Sequence, residues 1–300
     1  NRCRFVPLQK RQTFGHSPIP YLFIFPQIAI VGVFFFWPAF QAFYMSFMLE
    51  DPWGLSREFV WFENYQTLWQ SSEYLGSFIF TIVFSGLVAF FSLALALLLA
   101  VKADKVIKGQ SQYKVLLTWV YAVAPAVAGI TANFIFSQHI GVLHHFLVNL
   151  GWNFDPHIDA YDASFMVVLV SVWKQISVNF VFFLAGMQSI PKAVVEASHM
   201  DCESGWRRFW TITLPLLAPT AFFLLVINIT YAFFDTFGII DTLTQGQPAG
   251  ETSTLVYKVY QDGFVGADLG LSSAQSVLLM VFVLMLTIVQ FRFVERKIHY

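Results

Sequence analysis

Six stretches of the chain are apolar over the length of a bilayer, and polar stretches separate them. A hydrocarbon core about 30 Å thick takes about 20 apolar helical residues to cross. Runs of that size lie within residues 19–48, 74–101, 115–138, 163–190, 214–234 and 271–291. The second holds no charged residue between Glu73 and Lys102. Pro26 and Pro38 kink or bound the first, because a proline ring breaks the helical bonding one turn back. Pro125 falls inside the third, in YAVAPAVAG, where small residues let neighbouring helices approach closely. Lys174 is the one charged residue of the fourth. The pattern predicts an all-α integral membrane protein with an arm at 1–18, a six-helix domain at 19–291 and a tail at 292–300.

Composition agrees. The chain is 57% hydrophobic, 18% aromatic and 12% charged, against about 25% charged in soluble domains. A soluble enzyme or nucleic-acid binder is excluded on that balance. The two cysteines, Cys3 and Cys202, form no metal-ligand spacing and predict no disulfide. Asn1 in place of an initiating methionine implies that residues precede it, and the first apolar run is about twice the length of a signal-peptide core.

Net charge of −1 says little, but the placement of each sign says more. Fourteen of the seventeen Lys and Arg residues fall in the N-terminal arm, the loop after the second span, the loop at 191–213 and the tail. Only Arg57 and Lys258 lie in the alternate loops, where most of the acids gather. Basic residues remain on the cytoplasmic side of a membrane. Both termini and the 191–213 loop are therefore expected there.

That loop is an amphipathic, charged interruption of an oily sequence. Ser189 is expected to cap a helix running to Asp201, with Val194, Ala197 and Ser198 on one face. A turn at Glu203, Ser204 and Gly205 would lead to a second short helix carrying Trp206, Phe209, Trp210 and Thr213 on one stripe. Pro215 and Pro219 mark the return to the membrane. Amphipathicity alone suggests a pair of interfacial anchor helices.

The order of residues adds a sharper reading. Glu196-Ala197-Ser198, Asp201, Phe209, Ile212, Leu214-Pro215 and Pro219 resemble the EAA motif of ABC importer permeases, with Ser198 for the second Ala and Cys202 where Gly is usual. The segments YAVAPAVA, VWKQISVNFVFFLAGMQSIP, FFLLVINITYAFFDTFGIID, YKVYQDGF and QFRFVERK are similar to the carbohydrate-uptake branch of that family, in particular to permeases of glycerol-3-phosphate importers. Gly246-Gln247-Pro248 stands where related permeases often have Gly-Gly-Pro.

The resemblance implies half of a translocation pathway in a bacterial inner membrane. A second permease, two ATPase copies that bind ATP and Mg, and a periplasmic substrate-binding protein would complete it. Glu196 would contact the ATPase, Asp201 would shape the turn, and Arg207 and Arg208 would meet acids of the ATPase or lipid phosphates. The chain itself has no G-x-x-x-x-G-K-[ST] phosphate loop, so the energy is expected to arrive through the 191–213 loop.

A pathway needs polar residues at membrane depth. Lys174, with Gln175 and Asn179 on the same helix, provides one set. Asn228, Tyr231 and Asp235 at i, i+3 and i+7 provide another, and Gln275 lies on the sixth helix. Lys174 could attract a substrate phosphate, or could be a structural cation bonded to helix carbonyls or to a carboxylate such as Asp235. Glu196-x-x-His199 and the loop histidines 139, 144, 145 and 157 lack the repeated spacing of a metal site, and none is expected. Two cargoes are open, glycerol-3-phosphate with its diesters and a di- or oligosaccharide. A stand-alone carrier or membrane enzyme is the remote alternative.

Overall fold

Each long apolar run except the third becomes one continuous path of helical turns in a computed structural model, which describes residues 19–50, 56–104, 110–201 and 204–294. The first is α1 (Ile19–Val31) and α2 (Trp37–Met45), joined by a π-helical turn at Gly32–Phe36. Pro38 has no N–H to donate into that turn, so the ladder widens there rather than stopping. A hairpin of β1 (Met48–Glu50) and β2 (Arg57–Phe59), closed by a 2.8 Å ion pair between Glu50 and Arg57, leads to α3 (Glu63–Gln70). Then comes α4 (Ser72–Asp104), the longest helix described.

The third run is not a straight span. It divides into α5 (Gln110–Thr118), extended by a 3₁₀ turn at Trp119–Ala122, and α6 (Pro125–Phe136), and the two halves are bent by 107°. A proline drives the preceding residue into extended conformation, and Ala124 has φ −62 and ψ 144. The twelve residues of α6 rise about 18 Å, too little to cross the core alone. Among the described residues five helices are long and apolar enough to span, or six if the bent pair counts as one.

After α7 (Val142–Asn149), the fourth run forms α8 (Ala160–Gln188). Its start is set by Asp159, whose carboxylate accepts a 2.8 Å bond from the Tyr161 N–H. Ser189 ends this helix rather than opening the next one. It is helical at φ −80 and ψ −14, and its hydroxyl donates back to Gly186 O at 2.7 Å. An N-cap would need extended backbone.

The loop at 191–213 contains α9 (Lys192–Asp201) and α10 (Gly205–Arg208). The second short helix is not a separate surface element. From α10 the chain continues through a π-turn at Phe209–Thr213 into α11 (Leu214–Leu216) and α12 (Ala218–Thr230), with helical dihedrals at Arg208, Thr213 and Leu217. Pro215 and Pro219 sit in the first turns of α11 and α12, where a missing N–H does least harm. The end of the loop is thus a rigid extension of the fifth span. A π-turn at Tyr231–Asp235, α13 (Phe237–Leu243), α14 (Leu255–Tyr260) and α15 (Leu269–Val289) complete the order.

The core lies along α4 and α8, which run side by side in one direction. Phe84 and Val88 share a buried cluster with Val167 and Val170, and further along Ala96 and Ala100 share one with Phe183 and Leu184. α6 packs on α13 so closely that a Cβ at Gly129 would stand 2.0 Å from the Thr242 hydroxyl. The halves of the third run therefore have different main partners, α8 for α5 and α13 for α6, although α8 touches both.

Candidate functional site

Two places concentrate the polar residues singled out in the sequence. The first is the surface of α9 and α10. Glu196 and Ala197 are exposed, as are Val194, Val195 and Met200, while Ser198 turns inward and donates to Val195 O at 2.6 Å. Val194 and Ala197 consequently do not share the inward face with Ser198. A helix that leaves its aliphatic residues uncovered presents a surface for another protein or for lipid headgroups. Trp206 and Trp210 are exposed and packed at 5.7 Å, with Phe209 half-buried against both. Arg207 is exposed and Arg208 half-buried beside them, and Leu214 and Pro215 follow in the first turn of α11. Cys202 and the side chain of Asp201 lie outside the described residues, as does the side chain of His199.

The second is a cavity of 230 Å³ at membrane depth, lined by Tyr121, Pro125, Lys174, Gln175, Tyr231 and Asp235 together with Val178. Lys174 is the middle residue of α8. Its ammonium donates to the carbonyl of Val123 at 2.6 Å, at the break between α5 and α6. That carbonyl is short of a helical partner because Val123 and Ala124 are both extended, so the N–H four residues on is not brought back to it. Ser177, one turn on, donates to Thr118 O at 3.2 Å, so α8 ties down the same half of the broken run twice. Across the cavity Asp235 is exposed at the end of a π-turn, and the buried Tyr231 hydroxyl is placed towards the Ser171 hydroxyl. A cation bonded to the Val123 carbonyl, a carboxylate and a buried hydroxyl converge on one small volume. Such a lining can hydrogen-bond a polar molecule that passes it.

The remaining polar candidates do not open on this cavity. Asn179 and Asn228 are fully buried and exchange bonds, Asn228 Nδ2 to Asn179 Oδ1 at 2.8 Å and Asn179 Nδ2 to Asn228 Oδ1 at 3.1 Å. Ser92 donates to Asn228 Oδ1 at 2.8 Å, and Asn228 Nδ2 also reaches Leu224 O at 2.7 Å. This triad fastens α4, α8 and α12 together. Gln275 lies at the acidic end of the bundle, where it donates to Asp262. Asp262 and Glu73 both hold Lys258, each at 3.0 Å. Burial pulls the Lys258 pKa down, but the bonds to Asp262 and Glu73 and their charges outweigh it and leave it above the ordinary lysine value. Lys258 is therefore a fixed cation at neutral pH.

Sequence reasoning did not single out Ser92 or Tyr121. Ser92 is one of the few hydroxyls of the charge-free second run, and Tyr121 precedes Pro125 by one helical turn; each position was a usable signal. Among the described residues no group of three His, Cys, Asp or Glu side chains could hold a metal ion.

Residues 19–300 match the family described as Binding-protein-dependent transport system inner membrane component. The chain is 52% identical over 291 residues to the sn-glycerol-3-phosphate transport system permease protein UgpA of Rhizobium meliloti (strain 1021), covering 97% of this chain and 99% of that protein. It is 50% identical over 290 residues to the protein of the same name from Yersinia enterocolitica, covering 97% and 98%. In fold it is similar to a chain of the bacterial alginate ABC transporter solved in complex with alginate pentasaccharide-bound periplasmic protein. The TM-score is 0.79 at 21% identity, over 93% of this chain and 94% of that one.

Proposed function

The chain belongs to the binding-protein-dependent transport system inner membrane components, and from that membership we propose that it forms half of the pathway of an ATP-driven importer of sn-glycerol-3-phosphate. Relatives named for sn-glycerol-3-phosphate transport, similar over nearly the whole chain, support the cargo. The observation that carries the mechanism is the exposed surface of α9 and α10 and its helical continuity with α12. A second permease subunit completes the pathway, a dimer of ATPase subunits that bind ATP and Mg docks on this surface, and a periplasmic protein delivers the cargo. The charge distribution supports an orientation with both termini and the docking surface in the cytoplasm.

Closure of the ATPase dimer moves α9 and α10 as a rigid body. Because α10 runs without an extended residue into α12, that displacement passes to Tyr231 and Asp235 at the far end of the same helical path. Glu196 is the charged contact offered to the ATPase, with Ala197, Val194 and Met200 as its exposed apolar surround. A neutral polyol or oligosaccharide is the second reading, favoured by one observation: Lys174 and Asp235 offset one another's charge in the cavity.

Reversing the charge at the docking contact tests the coupling. Like charges brought together at an interface cost several kcal/mol, so Glu196→Arg is expected to lower ATP-dependent uptake about tenfold or more. The variant should still insert and bind the second permease. Normal uptake by both Glu196→Arg and Val194→Asp would remove α9 from the coupling path.

A further inference from the structure

Two further cavities lie outside the pathway and outside the docking surface. They adjoin one another, sharing Phe80, Val83, Tyr161 and Ser164 in their walls. The outer one, of 720 Å³, is bounded by the starts of α4 and α8 and by the loop before α14, with Glu73, Glu251, Ser253, Lys258 and Gln261 on its wall. The inner one, of 590 Å³, follows the groove between α4 and α8 down the span. Both volumes fall in the range of about 300–1,000 Å³ typical of small-molecule sites.

The groove is built by two facing ridges with four-residue spacing. Val83, Leu87, Phe91 and Leu95 form one along α4, and Phe165 and Leu169 form the other along α8. All six side chains are exposed. From Val83 to Leu95 the helix rises about 18 Å, comparable to the hydrocarbon of one leaflet, half of a core about 30 Å thick. One end of the slot is therefore polar, at the height where α4 and α8 begin, and the rest is apolar for the depth of a leaflet.

The polar end is preformed. The loop before α14 is pinned by a bond from the Leu255 N–H to the Thr81 hydroxyl at 2.9 Å and by one from the Ser253 N–H to Gly250 O at 3.0 Å. Ser253 is 2% exposed, yet its hydroxyl has no hydrogen-bond partner. The wall carries two carboxylates, Glu73 and Glu251, against one ammonium, Lys258, which Asp262 also neutralises. Among the described residues Glu251 has no cation beside it on this wall, and the Glu73 side chain is 76% exposed beyond its bond to Lys258, so the net negative wall favours an occupant that brings a cation. Lys258, Gln261 and Ser253 provide donors for an anion beside it.

We propose that this slot binds one phospholipid whose headgroup carries a primary amine, phosphatidylethanolamine in class. The ammonium meets Glu73 and Glu251, the phosphate meets Lys258 and the Ser253 hydroxyl, and one acyl chain lies between the ridges of α4 and α8. A primary ammonium offers three donors to the carboxylates. A choline head offers none, and a glycerol head brings no cation at all.

Native mass spectrometry of the complete importer complex, released from nanodiscs of equimolar phosphatidylethanolamine, phosphatidylcholine and phosphatidylglycerol, tests this. Phosphatidylethanolamine should be retained about tenfold over the other two. Val168→Trp, which fills the groove, and Glu251→Gln, on the exposed loop, should each lower that retention about tenfold with subunit stoichiometry unchanged. Equal retention of the three lipids would overturn the proposal, as would retention unaffected by both variants. So would a Leu87→Cys thiol that the second permease subunit shields from maleimide in the assembled complex, because that subunit would then be the occupant of the groove.

Discussion

Lys174→Met is expected to destabilise the assembled complex by about 1.5–3 kcal/mol, the usual range for a hydrogen bond made by a charged group. The bond at stake is the 2.6 Å contact to Val123 O. Removing the ammonium leaves the carbonyl at the break between α5 and α6 without its donor in a low-dielectric interior, and leaves Asp235 without the cation that faces it across the cavity. Thermal unfolding of the detergent-solubilised complex measures the loss, and Lys174→Arg, which keeps a donor and a charge, should recover part of it. Uptake by Lys174→Met should fall through a lower maximal rate with little change in KM. The opposite split, normal thermal stability with a raised KM for sn-glycerol-3-phosphate, would make Lys174 a ligand of the substrate phosphate instead.

The second large effect belongs to the triad of Ser92, Asn179 and Asn228. Asn228→Leu leaves the Asn179 amide buried and deprived of its reciprocal bonds, a cost of about 1–3 kcal/mol. The double variant Asn179→Leu with Asn228→Leu replaces both partners by apolar groups of similar size. It should therefore be more stable than Asn228→Leu alone, since an unmet amide in hydrocarbon is worse than none. Unfolding midpoints of the wild type, the two single variants and the double variant measure the coupling. Additive losses would show that the two amides do not act as a pair. If instead these residues line the substrate path, the double variant would be stable but would transport poorly.

These two results bear on how far the sequence could be read. The second, fourth and sixth spans were legible because each is a long apolar run whose ends are marked by polar residues, such as Glu73 and Lys102 around the second. The bend of the third was not, since a proline inside a transmembrane run is compatible with a mild kink as well as with a break. What decides it is the partner on each side, Lys174 and Ser177 for one half and the Gly129–Thr242 approach for the other. Ser189 misled for a local reason: a serine before Lys192 suits the start of a helix, but the last turn of α8 claims it first.

The polar residues at membrane depth show the same limit. Period and composition placed Lys174, Gln175, Asn179, Asn228, Tyr231, Asp235 and Gln275 on helices, but not the direction in which each helix turns them. Four of the seven, Lys174, Gln175, Tyr231 and Asp235, meet in one cavity. Asn179 and Asn228 are spent on each other, and Gln275 on Asp262. A polar residue facing a pathway and one clamping two helices have the same sequence signature, because hydrocarbon tolerates neither facing outward. Tyr121 belongs to the cavity only because the chain breaks at Val123 and Ala124.

Under the proposed function, this chain carries sn-glycerol-3-phosphate only when its docking surface is driven by an ATPase. Proteoliposomes containing the complete complex, loaded inside with ATP and given the periplasmic binding protein and labelled sn-glycerol-3-phosphate outside, test it directly. Uptake is predicted to require both the ATP and the binding protein, and to fall about tenfold or more in the Glu196→Arg complex. Uptake that persists without ATP under an ion gradient, or that occurs with maltose and not with sn-glycerol-3-phosphate, would contradict the account.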